Sequence, residues 1–177
     1  EEPVLLDQSG RAGGLIANAY SMENYPGLEP ISGPDFVSLL ERHIKRFGID
    51  VQPGSVERVA YSNRDFTLSG DLEELKAKAL IVAVGTSART LIIPGASEAV
   101  GHGFYYDVVN IGSAIKKSIV VGGGEAALDY ALTLARQGSD VTILVRGNRF
   151  RAKGRLVQLV EQSTSITITH GVEILSI

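Results

Sequence analysis

The 177-residue chain contains no cysteine. That excludes disulfide staples, thiolate zinc sites and any Cys-x-x-Cys redox centre. No apolar stretch approaches the ~20 residues that a membrane-spanning helix needs. The start, Glu1-Glu2-Pro3, lacks the basic segment that opens a signal peptide. A large excess of one charge is missing too. The net charge of -3 gives no general attraction to nucleic acid or to an anionic membrane. The expectation is a cytoplasmic protein with neither of those partners. There is no Gly-x-Ser-x-Gly elbow, and the glycine run at 122 lacks the Lys-Ser/Thr ending of a phosphate-cradling NTPase loop. His43, His102 and His170 form no i, i+4 pair and have no carboxylate at metal-site spacing, so no metal site is expected.

Glycine, by contrast, is abundant. Twenty glycines cluster at Gly10/Gly13/Gly14, Gly85, Gly101/Gly103 and Gly122-Gly123-Gly124. Such clusters mark turns, or backbone that must approach a ligand closely. Between them the chain alternates. Pro3 to Asp7 is a short apolar run that predicts a buried strand. Phe36, Val37, Leu40, Ile44 and Phe47 share one helical face, opened by Ser32-Gly33-Pro34-Asp35 and closed by Gly48. Residues 55–78 alternate apolar and polar around a turn at Ser62-Asn63-Arg64, which predicts an antiparallel meander. Ala79 to Val84 is continuously apolar and ends at Gly85, the pattern of a parallel strand covered on both faces.

The second half repeats the alternation. Strand 118–121, helix 125–137, strand 141–145, helix 155–162 and a strand at 166–169 predict a doubly wound α/β unit. Within it, Gly122-x-Gly124-x-x-Ala127 follows a strand and opens a helix. The first glycine makes the turn, the second admits a pyrophosphate, and the small third residue lets helix and strand pack closely. Free N–H groups and the positive end of the helix dipole then face the anion. Glycines needed only for packing would give the same spacing. An acid ending the second strand would bind the ribose of NAD. Here Val145-Arg146-Gly147 stands there, followed by Arg149 and Arg151. Arginines suit a 2′-phosphate and favour NADPH over NADH; a solvated basic loop is the alternative. Tyr105 and Tyr106 could stack on a flavin or nicotinamide ring, but two aromatics before a linker are more often core or hinge packing.

Taken together and in this order, the segments resemble thioredoxin reductase and the thioredoxin-reductase-like ferredoxin–NADP reductases. Gly13-Gly14-Leu15-Ile16 with Glu23-Asn24-Tyr25-Pro26-Gly27 looks like the family's flavin-contacting loop. Ala79 to Arg89, around Ala83-Val84-Gly85-Thr86, looks like the close of its first FAD segment. Val121 to Ala135 resembles the NADPH fingerprint, and Arg146 to Ala152 its 2′-phosphate loop.

The resemblance implies an α/β fold of two Rossmann-like three-layer nucleotide-binding domains, each incomplete. Residues 1–107 would be the FAD part with its meander, 108–117 a linker, and 118–177 the NAD(P)H part. By the same likeness Asp7 would bind the FAD ribose, Gly13, Gly14 and Asn24 would lie along the flavin, Val56 near adenine, and Ala83 and Gly85 at the FAD turn. Gly122, Gly124, Glu125, Ala127, Arg146 and Arg151 would hold NADPH. Without the likeness, Asp7 reads equally as a capping acid and Asn24 as a turn former.

Three features depart from the family pattern. Asp107 and Asn110 stand where the redox cysteines would be, so reduction of a disulfide by the usual route is excluded. Gly147 replaces the second of the paired arginines. The first FAD strand would precede Glu1 and further strands would follow Ile177, so the chain is expected to be a fragment. The implied activity is hydride transfer from NADPH to FAD, then to ferredoxin or a small oxidant, in a homodimer. The rival expectation is a nucleotide-binding or interaction module without turnover.

Overall fold

In the computed structural model, residues 3–108, 111 and 115–177 are described. The chain divides into two compact units. One comprises residues 1–17 and 34–86, the other residues 18–33 and 87–177.

The first unit starts with β1 (Leu5–Asp7), which pairs in parallel with β2 (Val51–Pro53) through Leu5↔Val51 and Asp7↔Pro53. Helix α1 (Gly33–Lys45) lies between them in sequence and buries Phe36 and Val37. Two expectations need correction here. Leu5 is 40% exposed, because a two-stranded sheet covers little of its own surface. Phe47 lies beyond the end of α1 and is 70% exposed, so the apolar stripe stops at Ile44.

The meander is present as β3 (Val56–Ser62), β4 (Asp65–Gly70) and β5 (Leu75–Ala77), in that order and antiparallel. Its first turn places Asn63 and Arg64 at φ of 51° and 66°, the left-handed pair of a tight hairpin. Tyr61 and Phe66 face each other across the strands with ring centroids 4.8 Å apart.

The run Ala79–Val84 is not a strand. It has no ladder partner among the described residues, and Ile81 and Val84 are 90% and 88% exposed. An apolar sequence supplies the side chains for a covered strand, whereas the partner edge must come from elsewhere. The β1–β2 pair does not extend to it.

The second unit is built on three parallel strands, β6 (Lys117–Val121), β7 (Asp140–Val145) and β8 (Ile166–His170), in the order β6-β7-β8. Helix α3 (Glu125–Arg136) joins the first two and α4 (Arg155–Gln162) the last two; a short helix, α2 (Ala96–Ala99), precedes them. Right-handed crossovers that advance in one direction put both helices on one face, and α3 and α4 pack together there. Leu128, Ala131, Val141, Ile143 and Val160 form the core between helices and sheet, and Leu128, Ile143 and Val160 are wholly inaccessible. Gly138, just past α3, has φ 92°, the left-handed turn that ends the helix. The doubly wound expectation holds in one layer only. Ile119 and Val121 point from the other side of β6 and are 68% and 50% exposed. This is the β-α-β-α-β half of a Rossmann-like fold.

Val108 and Ile111, in the expected linker, pack with this core; Val109, Asn110 and residues 112–114 lie outside the described residues. Tyr106 accepts a hydrogen bond from the Leu91 N–H at 2.9 Å and meets Phe104 edge to face, a packing role. No described helix is long and apolar enough to cross a membrane, and the described residues contain no cluster able to hold a metal ion.

Candidate functional site

The end of β6 is fixed to β7 by the Gly122 N–H, which donates to Leu144 O at 2.9 Å. Gly122 has φ 140°, and a Cβ there would come within 3.1 Å of the Ala127 methyl. The glycine and the small residue five positions on are therefore one packing device. Gly124 is the extended residue that caps the N-terminus of α3, with no side-chain bond to the helix. The first helical bond runs from Leu128 N to Gly124 O, which leaves the N–H groups of the first turn without an intrahelical partner. A Cβ on Gly124 would meet only the tip of Arg151, 3.8 Å away. The guanidinium of Arg151 thus stands beside an open helix N-terminus, where an anion is favoured by charge and by dipole.

Gly123, an unassigned position in the spacing pattern, proves to be structural. Its carbonyl accepts from Arg151 N at 2.7 Å and from Ala152 N at 3.0 Å, tying the arginine loop to the glycine loop. A Cβ there would press on Val145 Cγ1 at 2.9 Å. The run of three adjacent glycines is the signal that could have found it.

Arg146, Arg149 and Arg151 are all exposed. The ion pairs among the described residues, Lys78–Asp65 and Arg155–Glu23, involve none of them. His170 closes the same loop from β8. It is the register partner of Val145, its Nδ1 lies 3.2 Å from Gly147 O, and its ring meets Phe150 edge to face. The sequence offered no signal for this beyond a histidine at a strand end.

The segment 18–33 belongs to the same unit. The Tyr20 N–H donates to both oxygens of Asp129 on α3, at 2.9 and 3.0 Å, and the Arg136 guanidinium lies 4.6 Å above the Tyr20 ring. Burial pushes the Asp129 carboxyl up, against the Tyr20 N–H and the Arg136 charge, which favour ionisation. Burial also raises the neighbouring Tyr130 phenol; Asn18 hydrogen-bonds it and opposes the shift, while Asp107 and Asp129 add to it. Farther along, Glu23 pairs with Arg155 at 3.0 Å, and a Met22↔Ile31 bridge closes the loop that carries Asn24. Asp129 was missed because an acid within an amphipathic helix reads as a solvated position.

The residues expected to hold a nucleotide, Gly122, Gly124, Glu125, Ala127 and Arg151, come together around one helix end, with Arg146 at the adjoining strand end. Each expected flavin residue has its own local setting. Asp7 ends β1, where the Ser9 hydroxyl (2.6 Å) and N–H (2.7 Å) hold its carboxyl below the usual range. Gly13 lies where any Cβ would overlap Val37, Gly14 opens a 3₁₀ turn at Gly14–Asn18, and Val56 begins β3. Ala83 and Gly85 sit on the exposed run, and Asn24 lies in the other unit. Asp107 is partly buried near Tyr130, and Asn110 lies outside the described residues.

Residues 8–174 match the family described as pyridine nucleotide-disulphide oxidoreductase. The chain is 34% identical to thioredoxin reductase of Bacillus subtilis over 155 residues, 86% of this chain and 49% of that protein. It is 28% identical to NADPH-dependent thioredoxin reductase 3 of Arabidopsis thaliana, over 97% of this chain and 34% of that one. Among solved structures, thioredoxin reductase of Lactococcus lactis in its FR conformation superposes with a TM-score of 0.89 at 30% identity, over 98% of this chain and 58% of that one. The chain spans about half the length of the bacterial relatives it matches.

Proposed function

The chain belongs to the pyridine nucleotide-disulphide oxidoreductase family, and on that footing we propose that it is part of an FAD-dependent NADPH oxidoreductase of thioredoxin-reductase type. The observation that carries this reading is the open N-terminus of α3 at Gly124, with Arg151 beside it and no acid at the end of β7. These residues fit NADPH. The first-turn N–H groups and Arg151 would bind and orient the pyrophosphate, and the exposed Arg146 the 2′-phosphate. Arginine in place of a carboxylate supports NADPH over NADH.

Bound FAD would supply the hydride acceptor. Asp7, Gly13, Gly14, Asn24, Val56, Ala83 and Gly85 are proposed as its contacts. As they stand they fit it only in part: Ser9 engages Oδ1 of Asp7 and leaves Oδ2 to a ribose hydroxyl, whereas the 79–84 run has no partner strand among the described residues. In this division residues 1–107 serve FAD, 108–117 link, and 118–177 serve NADPH. With no cysteine in the chain, electrons would leave to an acceptor other than a disulfide held here, such as ferredoxin or a small oxidant. A cytoplasmic homodimer is part of the same proposal. The unpaired 79–84 run favours a second reading, a nucleotide-binding module without turnover. The flavin absorbance of the natively expressed protein, and its bleaching by NADPH without oxygen, separates the two. A colourless protein overturns the oxidoreductase reading.

A further inference from the structure

Residues 18–33 form a strap that lies far in sequence from the helices it touches. The chain leaves the first unit at residue 17, runs through the strap as part of the second unit, and re-enters the first at residue 34. Within the strap, Met22 and Ile31 exchange two backbone bonds of 2.7 and 3.1 Å, and the Gly33 N–H donates to Ala19 O at 2.9 Å. A single bridge does not hold a loop in shape in water, where even an isolated two-stranded hairpin is marginal. The strap therefore keeps these bonds only while it is docked. Residues 24–30 are all exposed, so few buried contacts hold it down.

Docking converges on one carboxylate. Asp129, half-buried on α3, accepts the Tyr20 N–H with both oxygens, at 2.9 and 3.0 Å. A charged acceptor makes such a bond roughly twice as strong as a neutral one. Arg136 stands two turns along the same face of α3, its guanidinium 4.6 Å from the Tyr20 ring, and that ring packs on the buried cluster of the unit. Glu23 pairs with Arg155 at 3.0 Å, but Arg155 is well exposed, and ion pairs of that class contribute little.

We propose that Asp129 is the latch of strap 18–33, and that the strap opens and closes at the Asp129–Tyr20 contact as a local unit while the β-α-β-α-β unit stays folded. Opening uncovers the face of α3 at Asp129 and Arg136 and releases the loop that carries Asn24. Asn24 is a proposed flavin contact, and α3 starts at the proposed nucleotide site, so the latch sets where that contact is held. This last consequence rests on the flavin reading, whereas the latch itself does not.

Native-state hydrogen exchange of the whole chain, with no nucleotide or flavin added, tests the latch across low denaturant concentrations. The Met22, Ile31 and Gly33 amides should exchange through a local opening at a rate nearly independent of denaturant. Amides of α3 and β7 should exchange more slowly and accelerate as denaturant rises, the mark of global unfolding. Asp129→Ala should speed exchange of the strap amides roughly ten- to hundredfold, the effect of losing a hydrogen bond to a charged group. Asp129→Asn, which keeps one neutral acceptor and the shape of the side chain, should fall between Asp129→Ala and the unaltered chain. Glu23→Gln should change the rate by about fivefold or less. The proposal is overturned if the strap amides share the denaturant dependence of α3 and β7, if Asp129→Ala leaves them unchanged, or if Glu23→Gln matches Asp129→Ala. Should Asp129→Ala fail to fold, the denaturant dependence of the unaltered chain and the Asp129→Asn rates decide the matter. None of these outcomes bears on the flavin reading, which its own absorbance test decides.

Discussion

Gly124→Ala separates folding from binding at one atom. Gly124 has φ -93° and ψ 174°, an extended conformation open to alanine. The added methyl would meet only the mobile end of Arg151 at 3.8 Å. Stability should therefore fall by no more than the loss of a glycine cap to alanine, about 0.5–1 kcal/mol. Binding should fall further. A pyrophosphate held by the first-turn N–H groups must come within hydrogen-bond reach of this backbone, and the methyl occupies that approach. Losing one charge-assisted hydrogen bond costs about 1.5–3 kcal/mol, a drop in NADP+ affinity of roughly ten- to a hundredfold. Gly123→Ala is the converse control. Its methyl presses on buried Val145 at 2.9 Å, and overpacking of this kind costs about 1–3 kcal/mol of stability. Denaturant unfolding and NADP+ titration of both variants read the two effects. Unchanged NADP+ affinity in Gly124→Ala would refute the reasoning, as would a destabilisation equal to that of Gly123→Ala.

Ile143→Ala should cost about 2–5 kcal/mol in denaturant unfolding, since Ile143 is wholly buried, whereas Ile81→Asp should fall within about 0.5 kcal/mol because Ile81 is 90% exposed. Asp129 binds its proton more tightly folded than unfolded, so the stability it lends is complete below the ordinary aspartate value of about 3.9 and is lost as pH rises through the raised folded value. Against Asp129→Asn, which keeps an acceptor for Tyr20 N–H, the unaltered chain should lose stability over that rise; unfolding midpoints that run parallel would contradict this. Arg146→Ala should weaken NADPH binding about tenfold or more and leave NADH nearly unchanged, as expected for one lost charge-assisted phosphate contact; equal losses in titration would remove the 2′-phosphate role.

The second unit was legible because its signals are local. The strand-glycine-helix junction at 117–125, the closing Gly138 and the helix at Arg155–Gln162 each depend on residues within a few positions of one another. The hairpin turn at Asn63-Arg64 was legible for the same reason. What escaped was set by distant partners. The apolar run at 79–84 has the composition of a covered strand, yet cover and pairing belong to whatever lies beside it. Short β2 carries too few residues to show a period. The bond from Tyr20 to Asp129 spans 109 positions, and neither residue announces the other. Gly123 and His170 were visible as residue types, but their roles come from a carbonyl acceptor and a ring contact that only the folded loop provides.

The central claim is that the junction of β6 and α3, together with the arginine loop, forms one nucleotide site. Hydrogen–deuterium exchange of the whole chain with and without NADP+ reads it directly. Protection should appear at residues 122–128 and 146–152. Protection confined to other segments, or none at a concentration that saturates binding, would contradict the account.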